Sequence, residues 1–120
     1  MPSLLVHVTC GPESPTKAAL ALFVAAAAVE VGHDVHVFLA GDAVQLIREP
    51  VRSSLVGLGT GALREHFEKV IAGGGRLYLS AGSCAARGIS DADLEGIPHE
   101  KAGPPMLVRL IMDCDRNIVY

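Results

Sequence analysis

Apolar positions along the chain fall into short runs separated by longer helical stretches. The first run, residues 4–9, is apolar and β-branched and stops at Gly11-Pro12, which is typical of a buried strand in a parallel sheet. Ser14, followed by a proline, predicts a helix over about residues 15–31. Residues 33–40 alternate at first and then become continuously apolar, which predicts a second strand. This order predicts a right-handed βαβ unit with two parallel strands.

The rest of the chain continues to alternate helix and strand signals. The predicted elements are a short helix over 42–47, a helix over 62–72, a strand over 76–80, a short helix over 83–87, a helical turn over 90–94, a helix over 104–114 and a strand over 117–120. Residues 49–61, with one proline and three glycines, give the weakest signal. The pattern predicts a single α/β domain, residues 1–120, built on a parallel sheet.

Composition adds an expectation of self-association. Half of the residues are hydrophobic and only 19% are charged, which is more apolar than a lone domain of 120 residues needs. Aromatic residues make up 4% of the chain and tryptophan is absent, so the core must consist of closely packed aliphatic side chains. The net charge of −3, without a basic run, argues against nucleic acid as a partner.

Signals for export or membrane insertion are not seen. The chain starts at Met1-Pro2-Ser3 and enters an apolar run directly, without a basic segment or cleavage site. The longest apolar stretch, residues 18–29, is too short to span a bilayer. Three cysteines are an odd number without zinc-type spacing, which favours reduced thiols over a disulfide framework. We therefore expect a cytoplasmic protein that does not contact a membrane.

Cys84 is the strongest candidate for chemistry. It follows the predicted strand 76–80, so it lies at the carboxyl edge of the sheet, where ligands of open parallel sheets bind. A helical turn over 83–87 would favour a thiolate through its free N–H groups, and Arg87 would add positive charge. Its small neighbours predict an accessible sulfur; they are Ala81, Gly82, Ser83, Ala85 and Ala86. The alternative is that Cys84 is a buried apolar residue, as free cysteines often are.

Four segments carry a resemblance to a known family. They are Gly11-Pro12-Glu13-Ser14-Pro15-Thr16-Lys17-Ala18 before an alanine-rich helix, Gly32-His33-Asp34-Val35-His36-Val37-Phe38-Leu39 with Gly41-Asp42-Ala43-Val44, Ser83-Cys84-Ala85-Ala86-Arg87-Gly88-Ile89, and Asn117-Ile118-Val119-Tyr120. In this order and spacing, the chain resembles the DsrE/DsrF-like proteins over nearly its whole length.

The resemblance implies a flavodoxin-like three-layer domain, with a mainly parallel sheet and helices on both faces. In members that move sulfur, the cysteine at the position of Cys84 carries a persulfide, and the proteins assemble as trimers or hexamers. The resemblance therefore implies a sulfur carrier that takes sulfane sulfur from a donor protein and passes it to an acceptor thiol. Many members have no known activity, so a ligand-binding or assembly module of the same fold is the rival hypothesis.

Cys10 ends the first predicted strand on the same edge as Cys84. It could serve as a second sulfur acceptor, or as the partner of Cys84 in a thiol redox sensor, and the alternative is packing under the first loop. Ser14, Thr16 and Lys17, with Gly11 before them, could bind an anion at the start of the first helix, although ordinary capping explains them as well.

The remaining candidates favour no cofactor and no metal. No GxGxxG pattern or Walker lysine is present, and His33 and His36 are not spaced as a metal pair. Asp91, Asp93 and Glu95 lack the calcium-loop spacing. Four further side chains complete the expectations: His7 as a satisfied buried or interface histidine, His66 on the exposed side of its helix, His99 as a base near Cys84, and Cys114 as a structural residue.

Overall fold

The computed structural model of the chain describes residues 2–120. In chain order its elements are strand β1 (Ser3–Val8), helix α1 (Pro15–Glu30), strand β2 (Asp34–Leu39), 3-10 helix η1 (Gly41–Ile47), helix α2 (Val51–Ser54), strands β3 (Val56–Gly57) and β4 (Gly61–Ala62), helix α3 (Leu63–Ala72), strand β5 (Arg76–Ser80), helices α4 (Ala81–Ala86) and α5 (Asp91–Leu94), strand β6 (Glu100–Ala102), helix α6 (Pro104–Asp113) and strand β7 (Arg116–Val119). None of the helices in the described part of the chain has the length and apolar composition that a membrane crossing requires.

Five strands form one fully parallel sheet in the order β6-β5-β2-β1-β7. The chain therefore moves stepwise from β1 to β6 and then returns across the sheet to β7. Flavodoxin itself has the order 2-1-3-4-5, so the chain shares its three-layer parallel architecture and not its strand order.

Right-handed crossovers explain how the helices are divided between the two faces. The connections from β1 to β6 run in one direction along the sheet, whereas the connection through α6 runs back, so the same handedness puts α6 on the opposite face. We call the face covered by α1 and α3 the first face and the face covered by α6 the second face.

The main core lies between the first face and its helices. Alternate strand residues such as Val6, Val37 and Leu79 point into it and meet a row of alanines on α1. Because alanine adds little bulk, α1 can lie close against the sheet. The aliphatic core that the composition predicts is therefore found on this face.

The second face has a smaller core, and of the described helices only α6 packs on it. Leu5, Phe38 and Tyr78 pack there against Leu110 of α6. One ten-residue helix covers five strands, and all four residues of β7 are exposed. This face leaves apolar surface uncovered, as the composition led us to expect.

Most predicted elements are present within a residue or two of their expected bounds. The helix predicted over 15–31 ends at Glu30, and the last strand runs from Arg116 to Val119. Residues 49–61, which gave the weakest signal, form α2 and most of a small β3-β4 hairpin. Strand β6 was not predicted, because three residues with two exposed charges show no apolar pattern.

The prediction for His66 is wrong, and for His7 the interface alternative stays a prediction. His66 is buried rather than exposed: its Nε2 lies 2.6 Å from the carbonyl oxygen of Thr60, and its ring stacks on Phe23. The β3-β4 hairpin folds over this side of α3, a tertiary contact that helical periodicity does not reveal. His7 is half-buried, and its Nε2 atom has no hydrogen-bond partner.

Candidate functional site

Cys84 is the fourth residue of α4, which begins directly after β5. The Ser80 hydroxyl caps this helix by accepting a hydrogen bond from the Ser83 amide. The Ser83 hydroxyl in turn accepts a hydrogen bond of 2.8 Å from the amide of Gly41, at the start of η1. The turn after β5 is thus tied to the turn after β2, and Cys84 lies at the carboxyl edge of the sheet as predicted.

The sulfur of Cys84 is not accessible, which corrects the prediction from its small neighbours. Cys84 is 2% exposed and packs into the first-face core. Gly82 and Ala85 lie on the solvent side of α4, so the small residues open the outer surface of the helix and leave the cysteine side covered. Burial raises the pKa of the Cys84 thiol, whereas the sequence predicted a lower pKa.

Three cationic side chains act against this effect of burial. Lys101, Arg48 and Arg87 all favour the thiolate of Cys84 and draw its pKa downward. Arg87, the residue singled out from the sequence, also pairs with Asp42, with Nε and Nη2 each 3.0 Å from one carboxylate oxygen. The net direction is still upward, so the resting protein holds Cys84 as a thiol surrounded by fixed positive charge.

Arg48 fixes the end of α4. Its Nη2 donates to the carbonyl oxygens of Arg87 and Gly88 at 3.0 and 2.7 Å, and its Nε lies 3.5 Å from the carboxylate of Asp93. Asp93 completes a capping box with Ser90, whose amide holds the pKa of the Asp93 carboxyl below its usual range. The acidic residues near 91–95 thus cap and anchor a turn.

The roles of Arg48, Lys101 and Asp42 were missed from the sequence. Arg48 lies 36 residues before Cys84 and Lys101 lies 17 after it, so no local pattern connects them. Lys101 lies on strand β6, which pairs with β5 and was not predicted from the sequence. The only available signal was the position of Asp42 after a predicted strand that ends at the same edge.

Cys10 lies in the loop after β1, on the same edge. It is buried, and burial followed by the charge of Glu13 raises the pKa of its thiol, with Lys17 acting against them. The Gly11 amide donates to both carboxylate oxygens of Glu13, at 2.6 and 2.8 Å. The structure therefore gives Cys10 a packed position beneath the first loop.

Cys10 and Cys84 follow strands that are not neighbours. Strand β2 lies between β1 and β5, which puts the two strand ends about 10 Å apart at the usual strand spacing. A disulfide requires Cα atoms within about 7 Å of each other. Both cysteines are free, and the redox-sensor alternative gains no support from this geometry.

The anion site that the sequence predicts at the start of α1 stays a prediction. Ser14 makes no side-chain capping bond. The Thr16 hydroxyl accepts a hydrogen bond from the Leu58 amide, and the Thr16 carbonyl accepts one from Thr60. These residues hold the β3-β4 hairpin against α1, while Lys17 contributes charge near Cys10.

His99 and Cys114 lie away from Cys84. His99 precedes β6, so it is at the amino edge of the sheet, opposite Cys84, and it is no candidate for a base there. Cys114 follows α6 and packs against the second-face core, in agreement with a structural role. Within residues 2–120 no three metal-ligating side chains come together.

These features define an α/β protein of three layers, with a buried cysteine surrounded by cations at the carboxyl edge of its sheet. The sequence matches the DsrE/DsrF-like family over residues 3–120, so the chain belongs to that family. No curated protein matches the chain significantly.

Solved structures share the whole fold. The crystal structure of the ychN protein from E. coli is similar with a TM-score of 0.79 and 20% sequence identity, and the match covers 100% of both chains. A conserved protein of unknown function, BT1422 from Bacteroides thetaiotaomicron, is similar with a TM-score of 0.72 and 10% identity, over 98% of this chain and 94% of that one. At these identities the likeness establishes the three-layer fold.

Proposed function

We propose that this protein is a cytoplasmic sulfur carrier in which Cys84 accepts sulfane sulfur as a persulfide and passes it to a partner thiol. The DsrE/DsrF-like family is associated with sulfur relay, and the family match spans residues 3–120. The observation that carries the proposal is the set of three cations around the buried Cys84 at the carboxyl edge of the sheet. These cations come from different parts of the chain and all favour the Cys84 thiolate, and each also pairs with a carboxylate.

The chemistry requires no cofactor in this proposal. The Cys84 thiolate attacks the outer sulfur of a donor persulfide, a bond forms between the two sulfurs, and the bond within the donor breaks to release the donor thiolate. An acceptor thiolate then attacks the outer sulfur on Cys84 and leaves the Cys84 thiolate behind. Lys101, Arg48 and Arg87 stabilise the anionic sulfur in both steps.

Because Cys84 is buried, helix α4 acts as a gate that controls access to its sulfur. A donor reaches the sulfur only when α4 moves away from the core, and α4 is a six-residue helix whose far end is held by Arg48 and the Arg87–Asp42 pair. Such a short, exposed element opens at a lower free-energy cost than the whole domain unfolds. Burial then slows the attack of small thiols in solution on a loaded persulfide without preventing it.

The test is sulfur loading of the reduced protein. Incubation with a sulfane-sulfur donor, followed by intact-mass spectrometry and peptide mapping, should show one added sulfur per chain on Cys84 that dithiothreitol removes. An adduct confined to Cys10 or Cys114 would contradict the proposal.

A ligand-binding or assembly module is the second candidate function, and one observation favours it. The Cys84 thiol is buried and its pKa is raised, as expected for a cysteine that only packs a core. In this case the protein would stay unloaded with every donor while the fold and the assembly remain intact. The loading experiment therefore separates the two candidates.

We also propose that the protein forms a homotrimer or homohexamer through the second face. Large apolar side chains are exposed on α6 and on the second face of the edge strand β7; they are Val108, Ile111, Met112 and Val119. An edge strand with apolar side chains is a surface that monomers avoid exposing. Assembly there would cover the face that α6 leaves thinly covered.

Met112→Glu should dissociate this assembly. Met112 is 77% exposed, so the substitution leaves the fold intact and puts a charge into the proposed interface. Sedimentation velocity should shift from the oligomer to the monomer, whereas Leu58→Glu, on the β3-β4 hairpin of the first face, should not change the assembly. A wild-type monomer at micromolar concentration would refute the oligomer, and an unchanged oligomer for Met112→Glu would refute this interface.

A further inference from the structure

Polar side chains form a hydrogen-bonded chain on the second face, toward the amino ends of the strands. The Tyr78 hydroxyl lies 2.9 Å from His36 Nδ1, and His36 Nε2 lies 3.3 Å from a carboxylate oxygen of Asp34. The His36 and Tyr78 rings are also stacked, with centroids 5.8 Å apart. A carboxylate can only accept, so a neutral His36 carries its proton on Nε2 and accepts the Tyr78 proton at Nδ1.

Packing alone does not explain this pair. Tyr78 is 7% and His36 is 8% exposed, and the residue beside His36 in the neighbouring strand is Leu5. The neighbouring position on the same face of the sheet thus accommodates an aliphatic side chain. Buried polar side chains cost desolvation energy that their mutual hydrogen bond only offsets. The cost of burying these polar groups points to a role of the pair other than stability. Tyr78 also lines an open cleft, so ligand binding is the role that its position suggests.

A cleft of about 320 Å³ opens next to Tyr78, and Arg76, Pro98, His99 and Glu100 also line it. Its volume is at the lower end of the range for small-molecule sites. The cleft lies at the amino ends of β5 and β6, at the opposite edge of the sheet from Cys84. It is therefore separate from the sulfur site.

Two opposite charges line this cleft without pairing. Within residues 2–120 neither Arg76 nor Glu100 forms an ion pair. Glu100 lies beside Tyr78 in the parallel ladder and Arg76 is two residues earlier, so their Cα atoms are about 8 Å apart by strand geometry. Arg76 and Glu100 thus line the same small open space, and no salt bridge joins them.

Two more side chains, His99 and Tyr78, determine which polar groups a ligand can place between these charges. The Nδ1 atom of His99 lies 2.7 Å from the carbonyl oxygen of Ile97, so it carries the proton and Nε2 is left as an acceptor. The Tyr78 hydroxyl donates to His36, and Arg76 lies close enough to its oxygen to favour the phenolate. The Glu100 side of the cleft therefore holds the carboxylate and the His99 acceptor, and the Arg76 side holds a cation with the Tyr78 hydroxyl beside it.

We propose that this cleft binds a small zwitterion of the size of a free amino acid. The ligand carboxylate pairs with Arg76, and its ammonium group donates to Glu100, with His99 Nε2 as a further acceptor. His36 and Asp34 hold the Tyr78 hydroxyl, which lies beside Arg76 and positions its guanidinium. The site does not depend on sulfur transfer, so Cys84→Ser should bind the ligand as the wild type does.

The test is calorimetric titration of the full chain with the free L-amino acids, one at a time. We expect saturable binding of a subset, weakened at least about 10-fold by Arg76→Gln and by Glu100→Gln, since each removes a charge-assisted contact. Arg109→Gln is the matched control because Arg109 is exposed near α6 and lines a different cavity. Tyr78→Phe keeps the ring and should weaken binding about threefold or more.

Blocked ligands test the zwitterion itself. For the best amino acid, the N-acetyl derivative and the carboxamide should each bind at least about 10-fold more weakly than the free form. Equal binding of the N-acetyl derivative would overturn the role of Glu100. The absence of saturable binding by any amino acid up to about 10 mM, or equal affinities for Arg76→Gln and Arg109→Gln, would overturn the site.

Discussion

Cys84→Ser is expected to abolish sulfur loading completely while the protein stays folded. Serine is close in size to cysteine and can occupy the same buried position, but its hydroxyl does not form a persulfide under these conditions. The melting temperature should fall by only a few degrees, because burial of a hydroxyl in place of a thiol costs roughly 1 kcal/mol. Intact mass and circular dichroism of the same samples measure both quantities.

Matched controls are available in the other two cysteines. Cys10→Ser and Cys114→Ser remove one thiol each and should keep wild-type loading, because neither residue shares the three cations around Cys84. Loading of Cys84→Ser at the wild-type level would show that Cys84 is not the carrier. Loss of loading in Cys10→Ser would instead assign Cys10 a direct part in the transfer.

The pH dependence of loading follows from the raised pKa of Cys84. Only the thiolate attacks, so the rate increases with the fraction of thiolate. An exposed thiol has half of its maximal rate at its ordinary pKa of about 8.5, whereas Cys84 should reach half of its maximal rate at a higher pH. The same upward shift stabilises the folded state below the pKa of the unfolded chain, and this stability is lost as the pH rises through the folded pKa. Stopped-flow alkylation from pH 7 to 10 measures the profile, and a plateau below pH 8 would contradict it.

Much of the fold could be predicted because its signals are local. The β1-α1-β2 unit follows from two apolar runs on either side of an alanine-rich stretch with a serine-proline start. The start of α6 follows from its proline pair for the same reason. Strand β6 has no such signal, since it is a strand only through its pairing with β5. The order of the strands also depends on tertiary packing.

Some features of the candidate site could also be predicted from the sequence, and others could not. The position of Cys84 after β5 at the carboxyl edge follows from chain order, and the structure agrees with it. Its burial does not follow, because Gly82 and Ala85 indicate an open helix surface without showing which side faces the core. Arg48 and Lys101 reach the site from other elements, and their approach depends on how those elements pack. Local chemistry was therefore predictable, whereas the electrostatic environment was not.

Gly11→Ala should destabilise the protein by about 2–3 kcal/mol and lower its melting temperature by roughly 10 °C. A Cβ atom at Gly11 would lie 2.2 Å from the carbonyl oxygen and 2.8 Å from the carbonyl carbon of Asp42. Both atoms belong to backbone, so the clash can be relieved only by moving the first loop away from η1. Thermal and urea unfolding measure the loss.

The same substitution should also loosen the gate over Cys84. Asp42 holds Arg87 at the end of α4, so a displaced η1 weakens the contact that keeps the helix closed. We expect alkylation of Cys84 at neutral pH to become about fivefold faster or more, since local opening controls access to the buried thiol. Gly82→Ala is the control: a Cβ there meets no atom within 4 Å, and because alanine favours a helix, stability should stay the same or rise by up to about 1 kcal/mol, without faster alkylation of Cys84. If Gly11→Ala loses stability while Cys84 reacts at the wild-type rate, the contact between the first loop and η1 supports the fold and does not control the thiol.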